Sequence, residues 1–261
     1  MISDAVRAFA EAPDRYTDLA PGVERHDDDR LCIVQGPTWA GVRPLLPVVD
    51  DVEALIAEAR EIVPQGKLTR WWLGPPTSPD LYERLVEAGL TIPVGRGEEL
   101  RGLACVEPPP PGSPEVEVQV VRSYEQFVVF AETMWEAFDT SPGRRETERP
   151  YQREVWESER AAGNPRSFLA LLDGEPVGVG RSVYAPQGSF LIAGGTVPAA
   201  RGRGVYRALV RARWDDAVDR GAPVLVTEAM ADTSLPILLG LGFVEVCTIR
   251  RLEDPVLSLT G

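Results

Sequence analysis

Thr196-Val197-Pro198-Ala199-Ala200-Arg201-Gly202-Arg203-Gly204-Val205-Tyr206-Arg207-Ala208-Leu209-Val210 is the stretch on which the fold turns. A strand ends, a glycine-containing turn follows, and a helix begins. The first amides of a helix have no intrahelical partner and sit at the positive end of its dipole. Such a start is a site for phosphate. Gly202 and Gly204 let the backbone approach a ligand and take unusual dihedrals. The spacing is neither the Walker A pattern nor the GxGxxG dinucleotide fingerprint. Five arginines fall between positions 201 and 213 of a chain whose net charge is -13. Arg203, Arg207 and Arg211 share one helix face by their four-residue spacing. Pairing with Asp215, Asp216 and Asp219 accounts for Arg211 and Arg213, but not for the glycines.

Working outward, Val116–Val121 reads as a strand and Ser123-Tyr124-Glu125-Gln126 as a capping box opening a helix to about Phe138. Asp139–Pro150 reads as a loop, and Tyr151–Ala161 as a short helix. Phe168–Leu172 and Pro176–Tyr184 form a hairpin about Asp173-Gly174. Ser189–Val197 is a further strand. A helix over Gly204–Arg220, a strand over Val224–Glu228, a helix over Asp232–Gly240 and a strand over Phe243–Leu252 complete a mixed α/β domain. The Pro108–Pro111 run and its neighbours, 107–115, read as an extended linker. They divide the chain into residues 1–106 and 116–261. In the first part Leu31–Gln35 and Leu68–Leu73 read as strands. Asp50 or Asp51 caps a helix running to about Val63, and Ser78-Pro79-Asp80 opens another, closed by Gly89.

The turn resembles the acetyl-CoA-binding signature of the GCN5-related N-acetyltransferases (GNAT), Val-x-Pro followed by Arg/Gln-x-x-Gly-x-Gly/Ala. Ser234-Leu235-Pro236-Ile237-Leu238-Leu239-Gly240-Leu241-Gly242-Phe243 is similar to the late helix of that family, which ends in Leu-Gly-Phe. The resemblance covers roughly residues 116–252 and implies the GNAT fold, a mixed central sheet flanked by helices. It implies acetyl-CoA as cosubstrate, no metal, and transfer of acetyl to the amine of a small molecule in a ternary complex. Gly195, Thr196 and Val197 would contact pantetheine. Arg201, Gly202, Arg203, Gly204, Val205, Tyr206 and Arg207 would surround the pyrophosphate, and Ser234 would join the cofactor contacts. Tyr206 stands where the pattern prefers Gly or Ala, so its ring is expected to point away from the ligand. Residues 1–106 resemble a degenerate copy without the glycine turn, expected to cover the catalytic domain or wall the acceptor pocket.

The resemblance also implies a carboxylate base and a tyrosine acid. The tyrosine position holds Leu238, the asparagine position holds Ala231, and Ser189–Val197 carries no carboxylate. Glu228 and Asp232 are the remaining base candidates, with Asp232 also a candidate helix cap. Glu136 and Asp139 are weaker acceptor-site candidates, and Trp135 and Phe138 could line an apolar pocket. Tyr184 or Tyr151 could serve as acid. The missing groups leave a second reading open: a coenzyme A-binding protein without transferase activity. An enzyme using another acyl thioester is a third.

Composition narrows the classes. With 44% hydrophobic and 26% charged residues the chain is globular. It has no apolar run of membrane-span length and no apolar leader. Its acidity argues against nucleic acid. Three scattered cysteines point to a reducing, cytoplasmic setting rather than a disulfide framework. The one histidine, His26, lies in an acidic run and reads as a surface loop residue.

Overall fold

The structure is a computed structural model, and residues 2–19, 22–75, 77–93 and 98–258 are described. The elements run α1 (Asp4–Glu11), β1 (Glu24–Asp27), β2 (Leu31–Gln35), β3 (Trp39–Pro44), α2 (Val52–Ile62), β4 (Leu68–Leu73), α3 (Leu81–Glu87) and β5 (Glu99–Cys105). They continue with β6 (Val116–Val120), α4 (Tyr124–Ala137), α5 (Pro142–Glu148), α6 (Gln152–Ala162), β7 (Arg166–Leu172), β8 (Glu175–Ala185) and β9 (Gly188–Thr196). The last are α7 (Val205–Asp219), β10 (Leu225–Met230), α8 (Ser234–Leu239) and β11 (Val244–Glu253). No helix among the described residues is long and apolar enough to cross a membrane.

The chain packs as two compact units. One holds residues 1–103, 228–238 and 245–261; the other holds 104–227 and 239–244. This differs from a single division inside 107–115: the C-terminal strand returns to the first unit. The physical reason is β-pairing. Residues Arg250–Glu253 of β11 pair antiparallel with Arg70–Leu73 of β4, and Leu252 and Leu257 are buried in the core of Leu31, Leu55, Trp71 and Leu85. Asp254, fully buried, accepts from Arg60 Nε and Nη2, each at 3.0 Å, and from Val256 N at 2.9 Å.

Within the first unit β1, β2 and β3 are antiparallel neighbours, and β3 pairs parallel with β4 through α2. His26 lies on β1, not in a loop, with Nε2 3.0 Å from Asp28 Oδ2. Within the second unit β6, β7, β8 and β9 are antiparallel neighbours, and β9 pairs parallel with β10 through α7. The first unit thus has two antiparallel steps and the second three, each series followed by one parallel β-α-β step. Phe127, Phe130 and Leu169 fill one side of the second sheet, and Phe168, Val205, Ala208 and Leu209 fill the other. Ser123 and Gln126 form the expected capping box of α4. Residues 139–150 contain α5 rather than only a loop. Arg145, bound to the carbonyls of Thr140 and Trp135, fastens that helix to the end of α4.

The proline run is not a free spacer. A Cβ on Gly112 would lie 2.5 Å from Ala208 Cα, and Arg211 Nη1 donates to Pro109 O at 3.1 Å. The segment is strapped along α7.

Removing one partner of a buried, bidentate ion pair leaves an uncompensated charge. Asp254→Ala should therefore destabilise the protein by roughly 3 kcal/mol, read as a lower denaturant midpoint. An unchanged midpoint would show that the C-terminal segment is dispensable for the first unit.

Candidate functional site

β9 ends at Thr196, and a 3₁₀ turn at Pro198–Ala200 leads to Arg201 in extended conformation. Gly202 and Gly204 then take left-handed dihedrals, φ +81° and +80°. Gly204 is the N-cap of α7, and no side chain caps that helix. Ala208 N is the first amide to bond back, to Gly204 O at 3.0 Å. The N–H groups of Val205, Tyr206 and Arg207 are left for an external acceptor. A Cβ on Gly204 would meet Ser113 at 3.1 Å. Glycine is required there by both the dihedral and the strapped linker.

The arginines around the turn divide by role. Arg201 donates to Thr196 O at 3.3 Å and Ala137 O at 3.4 Å, tying the end of β9 to the end of α4. Arg203 reaches exposed Glu115 at 3.6 Å, and exposed Arg207 has no ion-pair partner among the described residues. Arg211 pairs with Asp215 at 2.9 Å. Arg213 departs from the expectation of a solvated face. It is buried, donates to Leu209 O at 3.0 Å, and has no carboxylate partner among the described residues. Burial pushes its pKa down, and the neighbouring Tyr206 hydroxyl partly offsets this.

β9 itself is irregular. Its parallel ladder with β10 runs over Ser189–Leu191 against Leu225–Thr227 and stops there. Its antiparallel ladder with β8 continues to Thr196, with a register shift between Val179 and Arg181. Ala193, inside that bulge, takes φ +49°. Bulges re-aim backbone groups beside active sites. Two glycines follow because both faces are crowded. A Cβ on Gly194 would lie 3.0 Å from the Tyr206 ring, and one on Gly195 would lie 3.1 Å from Ala137 and the Phe138 ring. Tyr206 is therefore a packing residue under β9. Phe138 stands half exposed over Gly195, whereas Trp135 is core, donating from Nε1 to Glu148 at 2.8 Å.

The two base candidates lie in the other compact unit. Glu228 Oε1 accepts from Arg43 Nη2 at 3.0 Å, and the same nitrogen reaches Asp14 at 3.2 Å. Arg43 Nη1 donates to Glu11 O at 3.0 Å. Burial pushes the Glu228 carboxyl up, and Arg43 offsets part of the rise. Asp232 is exposed and caps nothing; Ser234 Oγ instead accepts from Met230 N at 3.0 Å at the start of α8. Leu238 is buried. Tyr184 is committed elsewhere: its hydroxyl donates to Asp216 at 2.6 Å, and burial pushes its pKa far up. Tyr151 is exposed. The Arg43–Glu228 pair was invisible to sequence reasoning, since the partners are 185 positions apart.

The matching step in the first unit, β3-α2-β4, is built differently. Its helix is capped by its own Asp51, whose carboxylate accepts from Ala54 N at 2.9 Å. An anion already occupies that helix start. A Cβ on Gly41 of β3 would lie 2.7 Å from the Trp72 ring, so the β3 surface is filled as well.

Residues 130–236 match the model of the acetyltransferase (GNAT) family. No curated protein matches the chain. Several solved structures share its fold. A GCN5-related N-acetyltransferase from Kribbella flavida is 21% identical, with a TM-score of 0.64 and 95% of each chain covered. A conserved protein of unknown function from Staphylococcus epidermidis has a TM-score of 0.63 at 14% identity, covering 93% of this chain and 96% of that one. A tandem GNAT protein from the clavulanic acid biosynthesis pathway has a TM-score of 0.58 at 13% identity, covering 94% and 87%. The uncapped glycine turn and the bulged strand before it both fall inside the matched segment: residues 130–236 are a domain of the GNAT acetyltransferase family.

Proposed function

We propose that the protein is an acetyl-CoA-dependent N-acetyltransferase acting on the amine of a small molecule, by direct transfer in a ternary complex. The observation that carries this is the start of α7, where three amides and two left-handed glycines are left without a side-chain cap. An anionic diphosphate supplies the acceptors those amides lack. Exposed Arg203 and Arg207 add positive charge at the same place. Gly195, Thr196 and Val197 offer backbone beyond the end of the β9–β10 ladder, suited to the amide groups of pantetheine.

The reaction forms a C–N bond and breaks the thioester C–S bond. One proton must leave the attacking amine, and the sulfur departs as thiolate. A thiol of pKa roughly 8.5 is a tolerable leaving group without a dedicated acid, which fits Leu238 at the usual tyrosine position. Glu228 is the proposed base. Arg43 fixes its Oε1 and so its rotamer, and burial raises its proton affinity. Asp232 is the reserve candidate.

A second reading, a coenzyme A-binding protein without turnover, is favoured by the same Leu238 and by the engagement of Glu228 with Arg43. Free-thiol release from acetyl-CoA across a panel of small amines separates the two. Release supports the enzyme; tight binding with no release supports the binding protein.

Variants test the assignments in the full chain, because a cut inside the linker would part β11 from β4. Calorimetry should give one acetyl-CoA per chain, since α2 is already capped by Asp51. Gly204→Val should weaken that binding by about tenfold or more, as the side chain strains the φ +80° turn and meets Ser113. Full affinity in a folded Gly204→Val protein would remove the site.

For the chemical step, Glu228→Gln should lower kcat by about 10²-fold with acetyl-CoA affinity retained. Asp232→Asn should change kcat little. In the unaltered enzyme kcat should rise with pH as Glu228 loses its proton, and that limb should vanish in Glu228→Gln. A wild-type kcat in Glu228→Gln would exclude it as base.

A further inference from the structure

The ends of β6, β7 and α6 enclose an open cavity of about 330 Å³ whose lining includes Arg122, Trp156, Glu159, Arg160, Arg166 and Ser167. It is separate from the glycine turn. Ser167 pairs with Arg181 of β8, and that strand stands between β7 and β9, whose end leads into α7.

Its charge is unusual for this chain. Arg166 is bound to Asp216 of α7, and Glu159 is neutralised by Arg181 at 2.9 Å. Arg122 and Arg160 have no ion-pair partner among the described residues. In a protein of net charge -13, whose arginines mostly end on carboxylates, the lining carries uncompensated positive charge.

The floor carries unmet hydrogen-bonding capacity. Ser167 is 5% exposed, and its Oγ has no partner. Along β7, Phe168 packs with Ala208 and Leu209 of α7, whereas Leu169 packs with Phe127 and Phe130 of α4. Alternation puts Ser167 on the Leu169 face, the side from which Trp156 and Glu159 line the cavity. Arg181, whose Nε is also buried without a partner, lies over the Phe127 and Phe130 rings on that face. A buried hydroxyl left unpaired is costly, and a ligand oxygen would satisfy it. Trp156, 5.6 Å from the Phe127 ring, supplies an apolar wall held in place by the core.

We propose that this cavity is a second ligand site, for a small organic anion. A carboxylate or phosphate monoester would lie among Arg122, Arg160 and the Ser167 hydroxyl, with a compact apolar body against Trp156. The inference does not depend on the acyl-transfer reading, because none of these residues belongs to the glycine turn or the base.

The test is calorimetric titration of the full chain with benzoate and with phenyl phosphate, and with benzyl alcohol as the neutral probe. At least one anion should saturate one site per chain, and benzyl alcohol should not. The double variant Arg122→Gln/Arg160→Gln should weaken anion binding by about tenfold or more, with acetyl-CoA affinity unchanged. Ser167→Ala should weaken it further. Three results would each overturn the proposal: no saturation by either anion, equal binding of benzyl alcohol, or undiminished anion binding in the double variant. The last would place the anion elsewhere, including at the start of α7.

Discussion

The first turn of an α-helix presents amides that its own backbone cannot satisfy. At α7 the chain supplies no oxygen to take one, because the N-cap is glycine and the residues just before it carry no hydroxyl or carboxylate. The linker packs against this turn from outside without capping it. Ser113 and Gly112 lie against Gly204 and Ala208, so the turn is shaped by a segment ninety positions earlier. The first unit shows the alternative. There Asp51 closes the same kind of helix start with its own carboxylate, and that one residue type separates a helix start capped by its own side chain from one that is not.

β9 bears the second constraint. A bulge at Ala193, glycines at 194 and 195, a tyrosine ring beneath one and a phenylalanine ring over the other leave little freedom in how its end is presented. The buried Arg213 guanidinium, packed against Gly180 and Gly194 without a carboxylate, is expensive to hold there. Cost concentrated at one irregular strand is what a positioned site requires.

The proposed base is placed by a longer route through the chain. β10 begins in one compact unit and ends in the other, and Glu228 falls just past that crossing, against Arg43 and Asp14. A guanidinium partner limits the motion of a base and tempers the pKa rise that burial brings. The C-terminal strand follows the same path, with Asp254 fixing its end to Arg60 of α2.

Much was legible in local sequence, because local rules act over a few residues. The capping box at Ser123, the Asp-Gly hairpin, the Asp51 cap and the glycine turn each arise from neighbours in the chain, and each appears where its residues required it. The resemblance to GNAT signatures rested on such local segments and gave the fold of residues 116–252 in outline. What the tertiary structure decided was non-local. β3 and β5 escaped notice because a buried strand such as Trp39–Pro44 has no alternation to read. The helix α5 escaped because it buries no residue and opens with Pro142-Gly143, and it is held by Arg145 bonding to α4. The return of β11 to β4, the strapping of the prolines on α7, the burial of Arg213 and the Arg43–Glu228 pair all join residues far apart in sequence. A single chain records what each residue can do locally, whereas only the packed structure records which distant group it meets.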